Sequence, residues 1–260
     1  MEQYRFVIQS AIAGILASFA CGLGSLPLLM KTLNVERKVG LGYGFAGGLM
    51  FSASVYNLLL PALNLGQSTI SVHNVILTLV GIFSGAAFLW GVEHYLTPQR
   101  ISTSFWRKIG GRQEILIFLA MSFHSIPEGV AVGVGYTSTE QIATNTELGH
   151  YIALAIALHN IPEGLAVSIP MRAAGASITK CFLFAFLTSL PQPIAAVPAS
   201  LLVWFFKPLM VPFLGFAAGA MLFLVIVELI PDALADRTAN EIAWAFILGF
   251  GGMILIQVIL

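Results

Sequence analysis

His124 and Glu128 stand four residues apart, and the same pair returns thirty-five residues later as His159 and Glu163. That spacing puts each histidine and its glutamate on one helix face, about one turn apart. Two imidazoles and two carboxylates are a four-ligand set for Zn²⁺ or another divalent first-row ion. The carboxylates also neutralise a dication, which a low-dielectric core would otherwise expel. Both pairs lie inside apolar segments, where an ionisable side chain costs at least about 2.5 to 3.5 kcal/mol on insertion scales and marks function by default. Two alternatives use the same residues: hydrogen-bonded links between helices, and a proton relay without metal. The recurrence of a six-residue pattern, HSIPEG at 124–129 and HNIPEG at 159–164, favours the metal.

The elements that must position these groups are helices. Pro127 and Pro162 fall between each histidine and its glutamate; each removes a backbone N–H and frees the carbonyl of Phe123 or Leu158, so a kink is expected. Gly129 and Gly164 then permit close approach of a neighbouring helix. Of the 260 residues, 58% are hydrophobic and 9% charged, against roughly 25% charged in a soluble domain. The mean hydropathy is +0.90. An ordinary soluble protein is excluded, and an integral membrane protein is expected. Balanced charge, 12 Lys and Arg against 12 Asp and Glu, leaves no basic surface for nucleic acid. Cys21 and Cys181 have no CxxC spacing and indicate neither a zinc knuckle nor a disulfide scaffold.

Eight segments are long enough to cross a bilayer, which takes about 20 apolar residues: 5–30, 40–63, 72–96, 115–136, 149–171, 178–206, 211–230 and 242–260. The first reads as a span, not a cleaved leader, because Glu2 offsets Arg5 and the apolar run continues to Met30. One transmembrane domain over 1–260 is expected. The loops after spans one, three, five and seven hold 10 of the 12 basic residues, Lys31, Arg37, Lys38, Arg100, Arg107, Lys108, Arg112, Arg172, Lys180 and Arg237. The positive-inside rule therefore puts both termini outside the cytoplasm.

Since adjacent spans run oppositely, the doubled motif in spans four and five is an inverted repeat. A second match, offset by 171 residues, sets Gly44–Met50 of span two against Gly215–Met221 of span seven, and Asn57 against Glu228. The expected fold is all-α, with eight transmembrane helices in a 3+2+3 inverted-repeat arrangement. Inverted repeats with helices broken near the midplane are the architecture of secondary transporters. An intramembrane metalloenzyme is disfavoured by the absence of H-E-x-x-H and of a separate nucleophile; a metal sensor or a channel-like pore stays open.

The paired motifs HSIPEG and HNIPEG resemble those of the ZIP (Zrt/Irt-like protein) metal transporters, in their bacterial GufA/ZupT-like branch. The resemblance spans the chain. It implies a plasma-membrane transporter, in a bacterium the inner membrane, moving Zn²⁺, or Fe²⁺, Mn²⁺ or Cd²⁺, into the cytoplasm with no catalytic cofactor; a homodimer is left open. Carried over by position, His124, Glu128, His159 and Glu163 form the primary site. Ser125 and Asn160, with the shared glutamates, face a second one. Glu228 matches the span-seven carboxylate and is assigned to metal release.

Three positions depart from the family pattern. Similar members carry Glu where this chain has Gln192, often Asn where it has Ser125, and often an entry-side acid where it has Asn64. Gln192 and Asn160 retain carbonyl oxygens that can coordinate, but the anion is gone. The charge balance predicts one tightly bound ion per chain where relatives with the glutamate hold two. Gln192 hydrogen-bonding a carbonyl freed by proline is the competing reading. His73, His94 and His150, at span ends, read as interfacial; Met50, deeper in span two, reads as a soft ligand or gate or, as is commoner for a methionine inside a bundle, as packing.

Overall fold

The computed structural model describes residues 4–29, 39–64, 71–95, 112–141, 148–173 and 175–259. All regular structure among them is helical. In chain order, α1 covers Arg5–Leu23 and continues through a 3₁₀ turn at Leu26–Leu29. The second span is α2 (Val39–Ala53), a π-turn at Ser54–Leu59, and α3 (Leu60–Asn64). Single long helices follow: α4 (Val72–Tyr95), α5 (Arg112–Gln141) and α6 (Leu148–Ala173). The sixth span is divided into α7 (Ile178–Thr188) and α8 (Pro191–Phe205). The seventh is α9 (Met210–Leu224), a π-turn at Val225–Leu229, and α10 (Ile230–Asp236). The last helix is α11 (Ala239–Ile259).

Among the described residues seven helices, continuous or jointed, are long and apolar enough to cross a membrane. With exposed Ile76, Phe83, Trp90, Ile194, Trp244 and Leu248 on their outer faces, they make a multi-pass membrane protein, since water would not tolerate such a surface. The longest helix is α5. Its polar residues are sheltered in the bundle, where His124, Ser125, Glu128, Thr137 and Ser138 are all buried.

Both π-turns begin at positions 171 residues apart, 54 and 225, the offset found in the sequence. A proline lies just past each, Pro61 and Pro231. A proline lacks the N–H of the regular ladder and crowds the carbonyl four residues back, and widening the preceding turn relieves both. The break in span six has a related cause. Pro191 sits at the start of α8, and Leu190 before it keeps helical φ and ψ; the proline's missing N–H is harmless at a helix start but leaves a gap in the ladder that would otherwise join α7 to α8. Two carbonyls exposed at the break are capped by serines: Ser125 Oγ donates to Thr188 O at 3.2 Å and Ser18 Oγ to Ser189 O at 2.8 Å. By contrast α5 and α6 run on through Pro127 and Pro162.

Glycine fastens the helices into three sets. A Cβ added at Gly14, Gly24, Gly129, Gly133 or Gly164 would overlap backbone across α1, α5, α6 and α8. One added at Gly48 or Gly249 would overlap between α2 and α11, and one at Gly81, Gly85, Gly215 or Gly219 between α4 and α9. At Gly164 the obstacle is the Cys21 carbonyl, so Gly164→Ala forces α1 and α6 apart at an overpacking cost of about 1–3 kcal/mol. Gly42 has nothing within 4 Å, and there alanine gains about 0.5–1 kcal/mol of helix propensity. Thermal unfolding in detergent is expected to show a lower Tm for Gly164→Ala and an equal or higher one for Gly42→Ala; equal shifts would contradict this packing.

Candidate metal centre

The two repeated motifs meet where α5 and α6 cross at the centre of the first group. His124, Ser125 and Glu128 come from α5 and His159, Asn160 and Glu163 from α6, while Gln192 stands in the first turn of α8. All seven are at most 3% exposed. Ionisable side chains so deeply buried require partners or an ion.

Glu128, His159 and Glu163 each offer one ligand atom, and these atoms lie within 4.8 Å of one another. His159 Nε2 is 3.2 Å from Glu128 Oε1. Several polar atoms here have no hydrogen-bond partner: His159 Nδ1, Glu163 Oε1, Asn160 Oδ1 and both ring nitrogens of His124. A buried polar atom left unpaired costs about 1–3 kcal/mol, so a cluster of them needs a reason. A cation meeting the carboxylates and an imidazole nitrogen supplies one, and the donor set suits a borderline ion such as Zn²⁺.

His124 lies outside this trio. Its Nε2 sits 3.5 Å from Glu228 Oε1 in the π-turn of the seventh span, and the Glu228 side chain is 31% exposed. The pair therefore ties the set α1, α5, α6 and α8 to the seventh span at the edge of the site. Ser125 is also apart from the trio: its hydroxyl is given to Met121 O at 3.1 Å and Thr188 O at 3.2 Å.

Gln192 is fully buried and its amide is used at both ends. Its Nε2 donates to Glu128 Oε2, and its Oε1 accepts from Asn160 Nδ2 at 3.1 Å. The orientation is fixed chemically, because an ionised carboxylate only accepts. Asn160 Nδ2 also donates to Ala17 O at 3.1 Å. A chain of hydrogen bonds thus runs from α1 through α6 and α8 to α5 and ends on Glu128. Ala17 was not signalled by the sequence, since a backbone carbonyl leaves no trace in side-chain identity. Of the other candidate residues, buried Asn57 lines a small apolar cavity with Ala53, Ile152, Ala155 and Met221. The basic residues Lys31, Arg37, Lys38, Arg100, Arg107 and Lys108 lie outside the described residues.

A membrane-embedded helical bundle with carboxylates and an imidazole converging at its centre defines an integral membrane protein built to hold a cation. Comparison with known sequences carries this further. The sequence model of the ZIP zinc transporters matches residues 99–257. The zinc transporter GufA of Myxococcus xanthus is 33% identical over 246 residues, covering 91% of this chain and 94% of that one. A zinc transporter ZupT of Chlorobium limicola is 30% identical over 253 residues, covering 92% and 93%. The human zinc transporter ZIP11 is 42% identical over 156 residues, but the match takes in 60% of this chain and 44% of ZIP11. The chain belongs to the ZIP zinc transporter family.

Proposed function

We propose that this protein carries divalent metal, zinc foremost, across the membrane into the cytoplasm, with Glu128, His159 and Glu163 as the central binding groups. The observation that carries the reading is the convergence of those three buried ligands within 4.8 Å, in a chain whose relatives GufA and ZupT are named zinc transporters. Fe²⁺, Mn²⁺ and Cd²⁺ are the competing cargoes. His124 belongs to the same site as the ligand that exchanges between the ion and Glu228, and Glu228, partly exposed, receives the ion on release. The protein needs no catalytic cofactor and is not an enzyme.

In this reading α5 is the eighth membrane helix, and spans one to three and six to eight are inverted repeats around the α5–α6 pair. The matching π-turns at 54 and 225 support that. The glycine-fastened set α1, α5, α6 and α8, which holds the central site, moves relative to the other helices. Saturable uptake of radiolabelled zinc by proteoliposomes tests the function. A non-saturating leak would indicate a pore, and binding without uptake a sensor.

Both termini face outside in this reading. Cysteines introduced at Ser68 and Thr144 are expected to react with an impermeant thiol reagent added outside intact cells, and one at Thr103 is expected not to. All three positions lie outside the described residues. Native Cys21 and Cys181 are buried and contribute little background. The reverse labelling pattern would invert the topology.

A further inference from the structure

We propose that Gln192 is a specificity-determining residue that makes Glu128 a one-oxygen ligand and thereby favours Zn²⁺ over Mn²⁺. The inference rests on the transport reading above and concerns the same site. Glu128 Oε2 accepts from the Gln192 amide, whereas Glu128 Oε1 faces His159. An ion held with His159 and Glu163 therefore meets Glu128 through Oε1 alone. Gln192 cannot easily turn away. It is fully buried, its own oxygen is held by Asn160, and Asn160 is held in turn by Ala17 O. Its backbone is pinned as well, by the Gln192 N–H donating to Ser189 O at 3.0 Å and by α5 packed at Gly129 against the Gln192 carbonyl.

Coordination chemistry turns that constraint into selectivity. Zn²⁺ is satisfied by four ligands, nitrogen and single carboxylate oxygens among them. Mn²⁺ favours a larger, oxygen-rich octahedral set, to which a carboxylate using both oxygens would add a donor. The Gln192 amide withholds that second oxygen, so its removal should help Mn²⁺ more than Zn²⁺.

The test uses the full chain in proteoliposomes, with radiolabelled zinc and manganese supplied separately. Gln192→Met has nearly the same length and no donor. In the zinc uptake that remains, the zinc-to-manganese ratio of kcat/KM is expected to fall about tenfold, the scale of one charge-assisted hydrogen bond. An unchanged ratio in a variant that still takes up zinc would overturn the proposal. A structural role alone would lower both uptakes together and leave the ratio where it was. X-ray absorption at the zinc edge of the unmodified protein reads the same point without any variant. Carboxylates bound through single oxygens support the proposal, and a carboxylate bound through both oxygens overturns it. If the unmodified protein takes up no metal, the transport reading fails, while the absorption spectrum still decides the role of Gln192.

Discussion

Glu163→Ala and His159→Ala are expected to reduce zinc uptake to the background of empty proteoliposomes. Each removes one of three groups whose ligand atoms converge within 4.8 Å. Losing a partner that merely supports a metal ligand costs roughly 10–100-fold in affinity or activity, so losing a ligand should cost at least about 100-fold. Membrane insertion should survive, because alanine is apolar and α6 already carries a mean hydropathy sufficient to span. His124→Ala is expected to abolish uptake as well, but with a smaller loss of zinc affinity. His124 Nε2 faces Glu228 at 3.5 Å and stands apart from the trio. Uptake assays beside zinc titrations on the purified variants would show this split. Near-normal uptake by Glu163→Ala or by His124→Ala would remove that residue from the pathway.

The second large effect concerns stoichiometry. The unmodified protein is expected to bind one zinc per chain, and Gln192→Glu to bind up to two. Two adjacent dications repel strongly where the effective dielectric is low, and only flanking anions offset that repulsion. In the native chain Glu128 and Glu163 are the two carboxylates at the centre, and the Gln192 amide donates to Glu128 where a second cation would otherwise sit. A glutamate at 192 replaces that donor with an anion and leaves Glu128 Oε2 free. Elemental analysis of purified protein after equilibration with zinc would distinguish the cases. Two ions per unmodified chain would show that the neutral oxygens of Asn160 and Gln192 suffice, against the charge argument.

The chemistry was legible in the sequence because it is written in side-chain types. The doubled His-x-x-Pro-Glu-Gly motif pointed to His124, Glu128, His159 and Glu163, of which the last three have ligand atoms within 4.8 Å of one another while His124 faces Glu228; the i, i+4 spacing gave each pair its helix face, and only the crossing of α5 and α6 brings Glu128 to His159. Helix existence was legible from the apolar runs. Their jointing was harder to read. The sixth span reads as continuous from 178 to 206, yet Pro191 divides it after Ser189 and Leu190, and only the break puts Gln192 in a first turn facing Glu128. The seventh span continues beyond Ile230 through α10 to Asp236, since Asp232 at a helix start is tolerated there. The partner of His124 was also hidden. Helix spacing fixes which residues share a face, whereas the approach of Glu228 depends on a π-turn that local propensity does not announce. The direction of the Gln192 amide was out of reach for a similar reason. The sequence offered its oxygen as a metal ligand, and only the neighbours show that this oxygen is taken by Asn160 and the nitrogen by Glu128.

The most direct test of the central claim is anomalous scattering at the zinc edge from crystals of the unmodified protein grown with zinc. The predicted result is one strong peak bounded by Glu128, His159 and Glu163. A site at which those three residues surround no ion, with zinc held elsewhere in the bundle, would contradict it.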